Sequence, residues 1–343
     1  MNESSADLGR RALAGERLSR LELLNLAQAA RQSPYDLLYW ANRIRTGRFG
    51  NAVGFCSIAP GKLGNCSEDC KWCAQSATCA KPGRKPRHTP AREIVAAAEN
   101  AARQKAACFG IVNSGRRPGK ADLEAVADAA AQIKTAGRGP GANLRLCASL
   151  GELTDAQARQ LLAAGITRYN HNLETSRSFY PTVVTSHTYD DRLATLAAAR
   201  RAGLGLCCGG IFGIGESWDD RVELALTLRD EVAPDIVPLN FLHPIPGTPL
   251  ENSVPLQPIE ILCIIALFRL AMPETDLKIA GGREKNLRDM QSWIFYAGAT
   301  SCILGNYLTT AGRSVPEDLQ MFADLGLEVV TQLPTQGQAP RRR

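Results

Sequence analysis

The sequence predicts an α/β protein, a (β/α)8 TIM-type barrel preceded by an N-terminal helical extension. Eight apolar, strand-like runs alternate with amphipathic stretches whose apolar residues recur at helical spacing. A cysteine cluster follows the first of these runs, at the end of a strand where barrel enzymes build their active sites. A chain of 343 residues is long enough for one such barrel. By strand and helix count alone, a doubly wound open sheet fits the alternation nearly as well.

Three segments are predicted. Residues 1–48 form the helical extension, because "RLELLNLAQAARQ" and "PYDLLYWANRIR" show helical periodicity before any strand signal. Residues 49–328 form the barrel, and residues 329–343 are predicted to be a disordered tail. The eight strand-like runs are "AVGFCSI", "ACFGIVN", "NLRLCASL", "ITRYNHNLE", "LGLCCGGIFG", "DIVPLNFL", "DLKIAGG" and "SCILGN".

Helices are predicted between these strands. They are "REIVAAAENAARQKA", "KADLEAVADAAAQIKTA", "TDAQARQLLAAG", "DDRLATLAAARRAG", "WDDRVELALTLRDEVA" and "NLRDMQSWIFYAGA". Thr89 and Thr154 are predicted to cap the first and third of them. Several end at a glycine, which is the usual residue after a helix: Gly165, Gly203 and Gly298.

Composition and charge exclude several classes of protein. A net charge of +6 is mild, and the basic runs "KPGRKPR" and "RRR" are not interleaved with aromatic residues, so no nucleic-acid partner is predicted. The longest apolar run, "IEILCIIALFRLAM", is interrupted by Arg269 and is shorter than the roughly 18–20 residues that cross a bilayer. No signal peptide is recognised at the N-terminus. A cytoplasmic, thiol-reducing location is therefore expected, where clustered cysteines are typically metal ligands.

The loop after the first strand contains Cys66, Cys70 and Cys73 in a C-x3-C-x2-C spacing. Three thiolates are one ligand fewer than a four-iron cluster takes, so such a cluster would keep one iron open for another ligand. Zinc is the alternative, with Cys79 or His88 as the fourth ligand. Three unrelated thiols would be a third explanation, and the spacing argues against it.

Three further cysteines lie inside predicted strands 2, 3 and 5. Cys108, Cys147 and Cys207 are each explained singly as small core residues. Together they converge on the interior of a barrel, and Arg283, in "GGRE" after strand 7, adds a cation to the same region. This combination suggests a second, buried metal cluster.

The remaining cysteines of the strands and helices are predicted to have structural roles. Cys208 follows Cys207 directly, and neighbouring strand residues face opposite sides, so only one of the two points inward. Cys56, Cys263 and Cys302 lie in apolar surroundings and are predicted to be core residues.

The sequence motifs also resemble those of a known enzyme family. Six motifs occur in the order found in that family: "CSEDCKWCAQS", "YNHNLETS", "GGIFGIGE", "LNFLHPIPGTPL", "AGGRE" and "GNYLTTAG". They extend from about residue 50 to about residue 325. The chain resembles the radical S-adenosylmethionine (SAM) enzymes and, among them, the biotin synthase family.

The resemblance implies two iron–sulfur clusters. Cys66, Cys70 and Cys73 would hold a [4Fe–4S] cluster whose fourth iron binds SAM. The auxiliary [2Fe–2S] cluster, the proposed sulfur source, would be held by Cys108, Cys147, Cys207 and Arg283. The pair Cys207–Cys208 departs from relatives in which a serine follows a single cysteine, so the ligand at this position and the type of auxiliary cluster stay open.

The resemblance also implies the substrate contacts. Asn170, Asn172 and Asn240 would lie near the ureido ring of dethiobiotin, a ring that amide donors and acceptors suit. Glu174 would meet the SAM ribose, where relatives often carry Asp. Thr309 and Thr310 would lie near the substrate carboxylate, and the further SAM-binding residues would be Trp72, Gly213 and Gly215.

The implied reaction is reductive cleavage of SAM, abstraction of hydrogen from dethiobiotin by the resulting 5′-deoxyadenosyl radical, and insertion of sulfur to form biotin. The implied partners are a one-electron donor such as flavodoxin or ferredoxin and a second copy of the chain in a homodimer. Two alternatives are another radical SAM enzyme with a different substrate and a zinc-stabilised binding or scaffold protein. The latter offers no reason for the cysteines inside the strands.

Overall fold

The computed structural model describes residues 3–64, 66–80, 87–135, 144–308, 310 and 312–334. Eleven strands are found in these residues. They are β1 (Ala52–Leu63), β2 (Arg87–His88), β3 (Cys108–Asn113), β4 (Arg145–Ser149), β5 (Ile166–Asn170), β6 (Gly205–Cys207), β7 (Gly210–Phe212), β8 (Ile236–Phe241), β9 (Asp276–Ile279), β10 (Ser301–Ile303) and β11 (Glu328–Val329).

The strands close into a parallel barrel. Neighbours follow the order β1, β3, β4, β5, β6, β8, β9 and β10, and β10 pairs again with β1, where Gly54 is opposite Ser301. This closure confirms the predicted (β/α)8 barrel and excludes the open sheet. β2 and β11 are short additions that pair with β1.

The fifth barrel strand is divided into β6 and β7, both parallel to β8. The division lies at Cys208–Gly209, within the run "LGLCCGGIFG" that was predicted as a single strand. A Cβ atom on Gly209 would lie 1.9 Å from the carbonyl oxygen of Pro238, so only glycine fits where the chain crosses so close to β8. The break lets the two halves present different residues to the barrel interior.

Twelve α-helices are found in the described residues. They are α1 (Ser5–Ala14), α2 (Arg20–Ala30), α3 (Pro34–Phe49), α4 (Ala91–Arg103), α5 (Lys120–Thr135), α6 (Asp155–Ala163), α7 (Tyr189–Arg201), α8 (Trp218–Thr227), α9 (Pro258–Ala271), α10 (Arg283–Leu287), α11 (Trp293–Tyr296) and α12 (Val315–Asp324).

The capping predictions were half right. Thr154 caps α6, accepting a hydrogen bond from the Gln157 amide in a capping box. The Thr89 prediction was wrong: Pro90 is the N-cap of α4 and makes no side-chain cap. The predicted helix "NLRDMQSWIFYAGA" is also not continuous, because the chain forms two short helices, α10 and α11, with a 3-10 helix (Arg288–Met290) between them.

The long apolar run of the sequence forms α9, whose residues are buried almost throughout. It packs against α3 of the N-terminal extension, so it is covered by protein on both sides. Arg269 within it is fully buried and donates to the carbonyls of Gly298, Met272 and Thr275. Among the helices of the described residues, none combines the length and hydropathy needed to cross a membrane.

The two predicted segment boundaries stay predictions. α3 ends at Phe49, next to the boundary placed after residue 48. At the other end, Val330 donates to the Val53 carbonyl, and Leu333 approaches Gly54. Residues 329–334, the first part of the predicted tail, therefore lie against the start of β1, and residues 335–343 are outside the described residues.

Candidate active site

A cavity of about 340 Å³ occupies the C-terminal end of the barrel. Its wall combines the cysteine loop with inward-facing residues of most barrel strands. Those named in the sequence analysis that line it are Trp72, Cys73, Cys108, Cys147, Asn170, Asn172, Glu174, Cys207, Asn240 and Thr310. Residues predicted from widely separated motifs are therefore brought together at one site.

The cysteine loop is fastened to the segment that precedes α7. The carboxylate of Asp69 accepts hydrogen bonds from the amides of Thr185 and Ser186, at 3.0 and 3.1 Å. Within the loop, the Cys66 amide donates to the Gln75 carbonyl and the Cys73 amide donates to the Cys70 carbonyl, each at 3.1 Å. The loop is thus held in a defined shape before any cluster binds.

The loop thiols are half-buried and interact electrostatically with one another. Burial raises the pKa of Cys70, the Arg192 guanidinium lowers it, and the neighbouring Cys73 and Cys66 sulfurs raise it again. Burial likewise raises the pKa of Cys73. Thiolates at this place therefore need positive charge, which a cluster of iron ions or Arg192 provides.

Arg192 connects the loop to the cavity. Its Nε donates to the Tyr180 hydroxyl at 2.6 Å, and its Nη1 lies 3.9 Å from Glu174. The Tyr180 hydroxyl lies 2.8 Å from Nε2 of His187, whose Nδ1 is 2.5 Å from Glu68 of the loop. This chain of contacts fixes the loop and the carboxylate of Glu174 relative to one another. Sequence analysis missed it, although its members Tyr180, His187 and Arg192 all lie in the polar segment "YPTVVTSHTYDDR".

The zinc alternative receives no support from the geometry. In the described part of the chain, no three His, Cys, Asp or Glu side chains are grouped to hold a single metal ion. His88, one of the two possible fourth ligands, lies on β2, where its Nδ1 is 3.7 Å from Asp122.

A second set of cysteines lies deeper in the barrel. Cys56, Cys108 and Cys147 form a separate buried cluster of side chains, and the sulfurs of Cys56 and Cys108 are in disulfide contact. The prediction that Cys56 is an ordinary core residue was therefore wrong. Cys263 and Cys302, by contrast, belong to the main hydrophobic core, as predicted.

Cys207 and Lys278 complete this interior set. The Nζ atom of Lys278 lies 3.5 Å from the Cys207 sulfur and 3.8 Å from the Cys56 sulfur. Lys278 is only 7% exposed, so its ammonium group is placed among thiols inside the barrel. Cys208 faces the opposite way, into the hydrophobic core, which settles which member of the Cys207–Cys208 pair points inward.

Arg283 does not reach this set, contrary to the prediction. It is fully buried outside the barrel interior, where Nη1 and Nη2 donate to Asp318 of α12 at 3.0 and 2.5 Å. The prediction failed because "AGGRE" turns the chain at Gly282, which has φ 81°, and Arg283 starts α10 beyond the strand. Lys278 takes the interior cationic position instead.

A sequence signal for Lys278 was present. On β9, Leu277 and Ile279 face the outer helices, so the intervening Lys278 has to face the barrel interior. A lysine is almost never fully buried without a partner. The same alternation on β1 turns Phe55 outward and Cys56 inward. The alternation along each strand thus predicts that Cys56 and Lys278 face the barrel interior.

The three asparagines differ in their freedom to bind a ligand. Asn240 is engaged at both ends of its amide, donating to Gly210 O and accepting from the Gly281 amide. Asn172 accepts from the Gly209 amide. Within the described residues the buried Oδ1 of Asn170 has no hydrogen-bond partner, which is costly unless a ligand supplies one.

Glu174 is held in an unusual backbone conformation at the edge of the cavity. Its φ is 71°, and its carbonyl accepts a hydrogen bond from the Ile211 amide of β7. Burial raises the pKa of its carboxyl group, while Arg192 lowers it. A polar ligand with hydroxyl groups would provide the hydrogen bonds that burial has removed.

The remaining predicted contacts are divided. Trp72 and Thr310 line the cavity. Gly213 and Gly215 are turn residues with φ 88° and 106°, and they are not among the residues of the cavity wall. Gly213 donates its amide to Glu216 instead. Thr309 lies outside the described residues.

Two known protein families match this chain. Residues 63–228 match the Radical SAM superfamily, and residues 238–328 match the Biotin and Thiamin Synthesis associated domain. Among solved structures, a methylornithine synthase is similar at a TM-score of 0.79 with 17% identity, over 94% of this chain and 97% of that one. A maturase of the [FeFe]-hydrogenase reaches 0.81 with 16% identity, over 95% and 75% of the two chains. At these identities the structures support the fold alone.

The curated relatives are much more similar. The biotin synthase of Citrifermentans bemidjiense is 44% identical over 96% of this chain and 99% of its own length. That of Geotalea uraniireducens is 45% identical over 92% and 95% of the two chains. Identity of this extent covers the cysteine loop, the barrel and the C-terminal helices together. The chain belongs to the biotin synthase family of radical SAM enzymes.

Proposed function

We propose that this chain converts dethiobiotin to biotin by SAM-dependent insertion of sulfur. The observation that carries the proposal is the placement of two cysteine sets at two depths of one barrel. One set lies on the loop beside Glu174, and the other lies in the interior beside Lys278. The C-terminal cavity lies between them and is bordered by both.

The cofactors are a [4Fe–4S] cluster, SAM and an auxiliary [2Fe–2S] cluster. When bound, they supply reductive cleavage of SAM, a 5′-deoxyadenosyl radical that abstracts hydrogen, and the sulfur that closes the ring of biotin. Everything else is positioning by the protein. The barrel wall holds the reacting groups together and keeps water out of the cavity.

Cys66, Cys70 and Cys73 would hold the loop cluster. The fit is supported by the electrostatic interaction of Cys70 with Cys73 and Cys66 and by the chemistry of three thiolates, which leaves one iron for SAM. Arg192 stabilises negative charge on Cys70. Asp69 prevents the loop from opening by holding the Thr185 and Ser186 amides.

Cys56, Cys108, Cys147 and Cys207 would hold the auxiliary cluster. Four thiolates are the usual ligand set of a [2Fe–2S] cluster, so Cys56 supplies the ligand that sequence analysis had assigned to Arg283. Iron binding requires the Cys56–Cys108 pair as reduced thiols. Lys278 offers a positive charge to the thiolates of Cys56 and Cys207.

Asn170 would bind the ureido ring of dethiobiotin through its unpartnered Oδ1, which accepts from a ring N–H. Asn172 and Asn240 would shape the same end of the cavity, since their amides are already fastened to backbone groups. Glu174 would accept from the SAM ribose, with Trp72 beside it in the cavity wall. Thr310, which lines the cavity, would meet the substrate carboxylate, and the same role is proposed for Thr309.

The partners beyond the substrate follow from the chemistry and the surface. The reaction needs a one-electron donor, such as flavodoxin or ferredoxin. An exposed aromatic patch of Tyr35, Tyr39, Trp293 and Tyr296 is suited to the interface of a homodimer. Eleven cysteines in iron-binding and core positions suit a reducing, cytoplasmic environment.

The test is an anaerobic reaction of reconstituted protein with dethiobiotin, SAM and a one-electron reductant. The expected products are biotin, methionine and 5′-deoxyadenosine. Asn170→Ala should weaken dethiobiotin binding by about 1–3 kcal/mol, because the ring N–H loses its buried acceptor. Thr182→Ala, an exposed residue away from the cavity, is the control. SAM cleavage that yields no biotin would instead favour a radical SAM enzyme with another substrate.

A further inference from the structure

A second cavity, of about 330 Å³, lies at the opposite, N-terminal end of the barrel. It is lined by the first residues of the strands, among them Arg145, Arg168, Asp276 and Ser301. Cys56 and Cys108 belong to the walls of both cavities. The interior cysteines therefore separate the C-terminal cavity from this second cavity, the N-terminal chamber.

In the described part of this chamber, the carboxylates have hydrogen-bond or ion-pair partners, whereas one guanidinium nitrogen makes no hydrogen bond. Asp235 accepts from the Leu206 amide at 2.8 Å, and Asp276 accepts from the Ser301 hydroxyl at 2.6 Å. Glu274, the third carboxylate of the wall, lies 3.5 Å from the Arg48 guanidinium. Arg168 is almost buried, and among the described residues its Nε has no hydrogen-bond partner. Its nearest carboxylate is Asp235, at 3.7 Å. The chamber thus has a guanidinium group whose Nε–H is without a hydrogen-bond acceptor in the described part of the chain.

Arg168 also lies close to the interior thiols. Burial lowers the pKa of Arg168, but the sulfurs of Cys147 and Cys207 and the Asp235 carboxylate raise it above its ordinary value. A cation that interacts electrostatically with both sulfurs is placed to attract an anion toward them. Arg145 adds a second guanidinium to the same wall, and one of its nitrogens is bound to the Thr331 carbonyl at 3.1 Å.

The chamber is covered by the segment that follows β11. Gln332, Leu333 and Pro334 contribute to its wall. Leu333 lies across Gly54, where a Cβ atom would be 3.7 Å from the Leu333 Cγ. A short segment anchored by a few contacts opens more readily than a barrel strand.

We propose that the N-terminal chamber binds hydrosulfide and admits it to the auxiliary cysteines. The inference rests on the proposed function, because sulfur leaves the auxiliary cluster in each product and must be replaced. In that function SAM and dethiobiotin fill the C-terminal cavity. An entrance from below lets a small sulfur anion reach Cys56 and Cys108 while that cavity is occupied.

The test follows radiolabelled hydrosulfide entering the full-length holoprotein under anaerobic conditions, with SAM and dethiobiotin bound. Arg168→Gln should slow incorporation into the auxiliary cluster about tenfold, because the guiding charge is lost. Leu333→Ala should speed it roughly twofold by loosening the cover. Arg200→Gln, which removes an exposed arginine from the outer surface, should leave the rate unchanged.

Arg168→Lys separates charge from folding. It should keep incorporation within about twofold of the wild-type rate, because the positive charge remains. Equal losses in Arg168→Lys and Arg168→Gln would overturn the proposal, since the effect would then be structural. The proposal would also be overturned if Arg168→Gln left the incorporation rate unchanged and the rate fell only when SAM and dethiobiotin occupied the C-terminal cavity.

A second readout is independent of cluster chemistry and of biotin formation. In the reduced, cluster-free chain, Cys108 is alkylated with the anion iodoacetate and the neutral iodoacetamide, and the modified peptide is quantified. The ratio of anionic to neutral rate should fall about tenfold in Arg168→Gln. A chain that shows this ratio but makes no biotin would contradict the proposed function and leave the anion entrance standing. An unchanged ratio overturns the entrance, whatever the activity.

Discussion

Arg283 and Asp318 form a fully buried, two-point ion pair that joins α10 to α12, with Nη2 and Oδ2 2.5 Å apart. Both side chains are inaccessible to solvent. Such a pair is expensive to break, because removing one partner leaves the other charge buried and unpaired. It also occupies the guanidinium that would otherwise be available to a metal cluster.

Asp318→Asn should lower the free energy of unfolding by about 3–5 kcal/mol, because it removes the fully buried carboxylate opposite Arg283 and leaves only Glu284, at 3.3 Å. Urea denaturation of the reconstituted protein measures the change. The iron content per folded chain should stay at the wild-type value. An Arg283→Lys variant that folds normally but loses the auxiliary absorbance would show that Arg283 is a cluster ligand after all.

Cys56→Ser should remove the auxiliary cluster or make it labile, because one of four thiolate ligands is lost. Cys302→Ser is the matched control, since Cys302 is an equally buried strand cysteine in the hydrophobic core. Iron per chain and the visible spectrum report the difference. A Cys56→Ser protein with its full complement of iron would return Cys56 to an ordinary core role.

Lys278→Met should make the auxiliary cluster harder to reduce, because it removes the positive charge beside Cys56 and Cys207. A shift of about 60 mV to lower potential corresponds to a tenfold change in the one-electron equilibrium. Lys278→Arg keeps the charge and should stay near the wild-type potential. Equal potentials in Lys278→Met and wild type would mean that Lys278 does not act on the cluster electrostatically.

SAM binding should weaken as the pH is lowered, because burial raises the pKa of Glu174. A raised pKa means that Glu174 takes up a proton at a higher pH than an ordinary glutamate does. Lowering the pH therefore removes the carboxylate that accepts the hydrogen bond. Isothermal titration at several pH values measures the affinity. Glu174→Gln should bind more weakly at pH 8 and show a smaller pH dependence. A pH dependence that persists unchanged in Glu174→Gln would assign it to another group.

The barrel and its loop were largely predictable from sequence, whereas the interior ligand set was not. Strand periodicity, helix caps such as Thr154 and the C-x3-C-x2-C spacing are local properties, so they can be recognised along the chain. Placing Arg283 required knowing where β9 ends and how Gly282 turns the chain. That turn depends on packing between α10 and α12, which is distant in sequence.

Cys56 and Lys278 illustrate the other reason. Lys278 lies between the core residues Leu277 and Ile279, and Cys56 follows the core residue Phe55, so barrel closure decides that the alternate residues meet in the interior. Closure brings β1 beside both β3 and β10, and β9 beside β10. A pairwise register of this kind is not written in any single strand.

The most direct measurement of the central claim compares the wild-type chain with a Cys108→Ala/Cys147→Ala variant, both reconstituted anaerobically with iron and sulfide. Iron per chain and the visible spectrum are recorded for each. The account predicts about six irons in the wild type and about four in the variant, with one component of the spectrum lost and the loop cluster retained. The same single cluster in both proteins would contradict it, because the strand cysteines would then be core residues and the chain would lack its sulfur source.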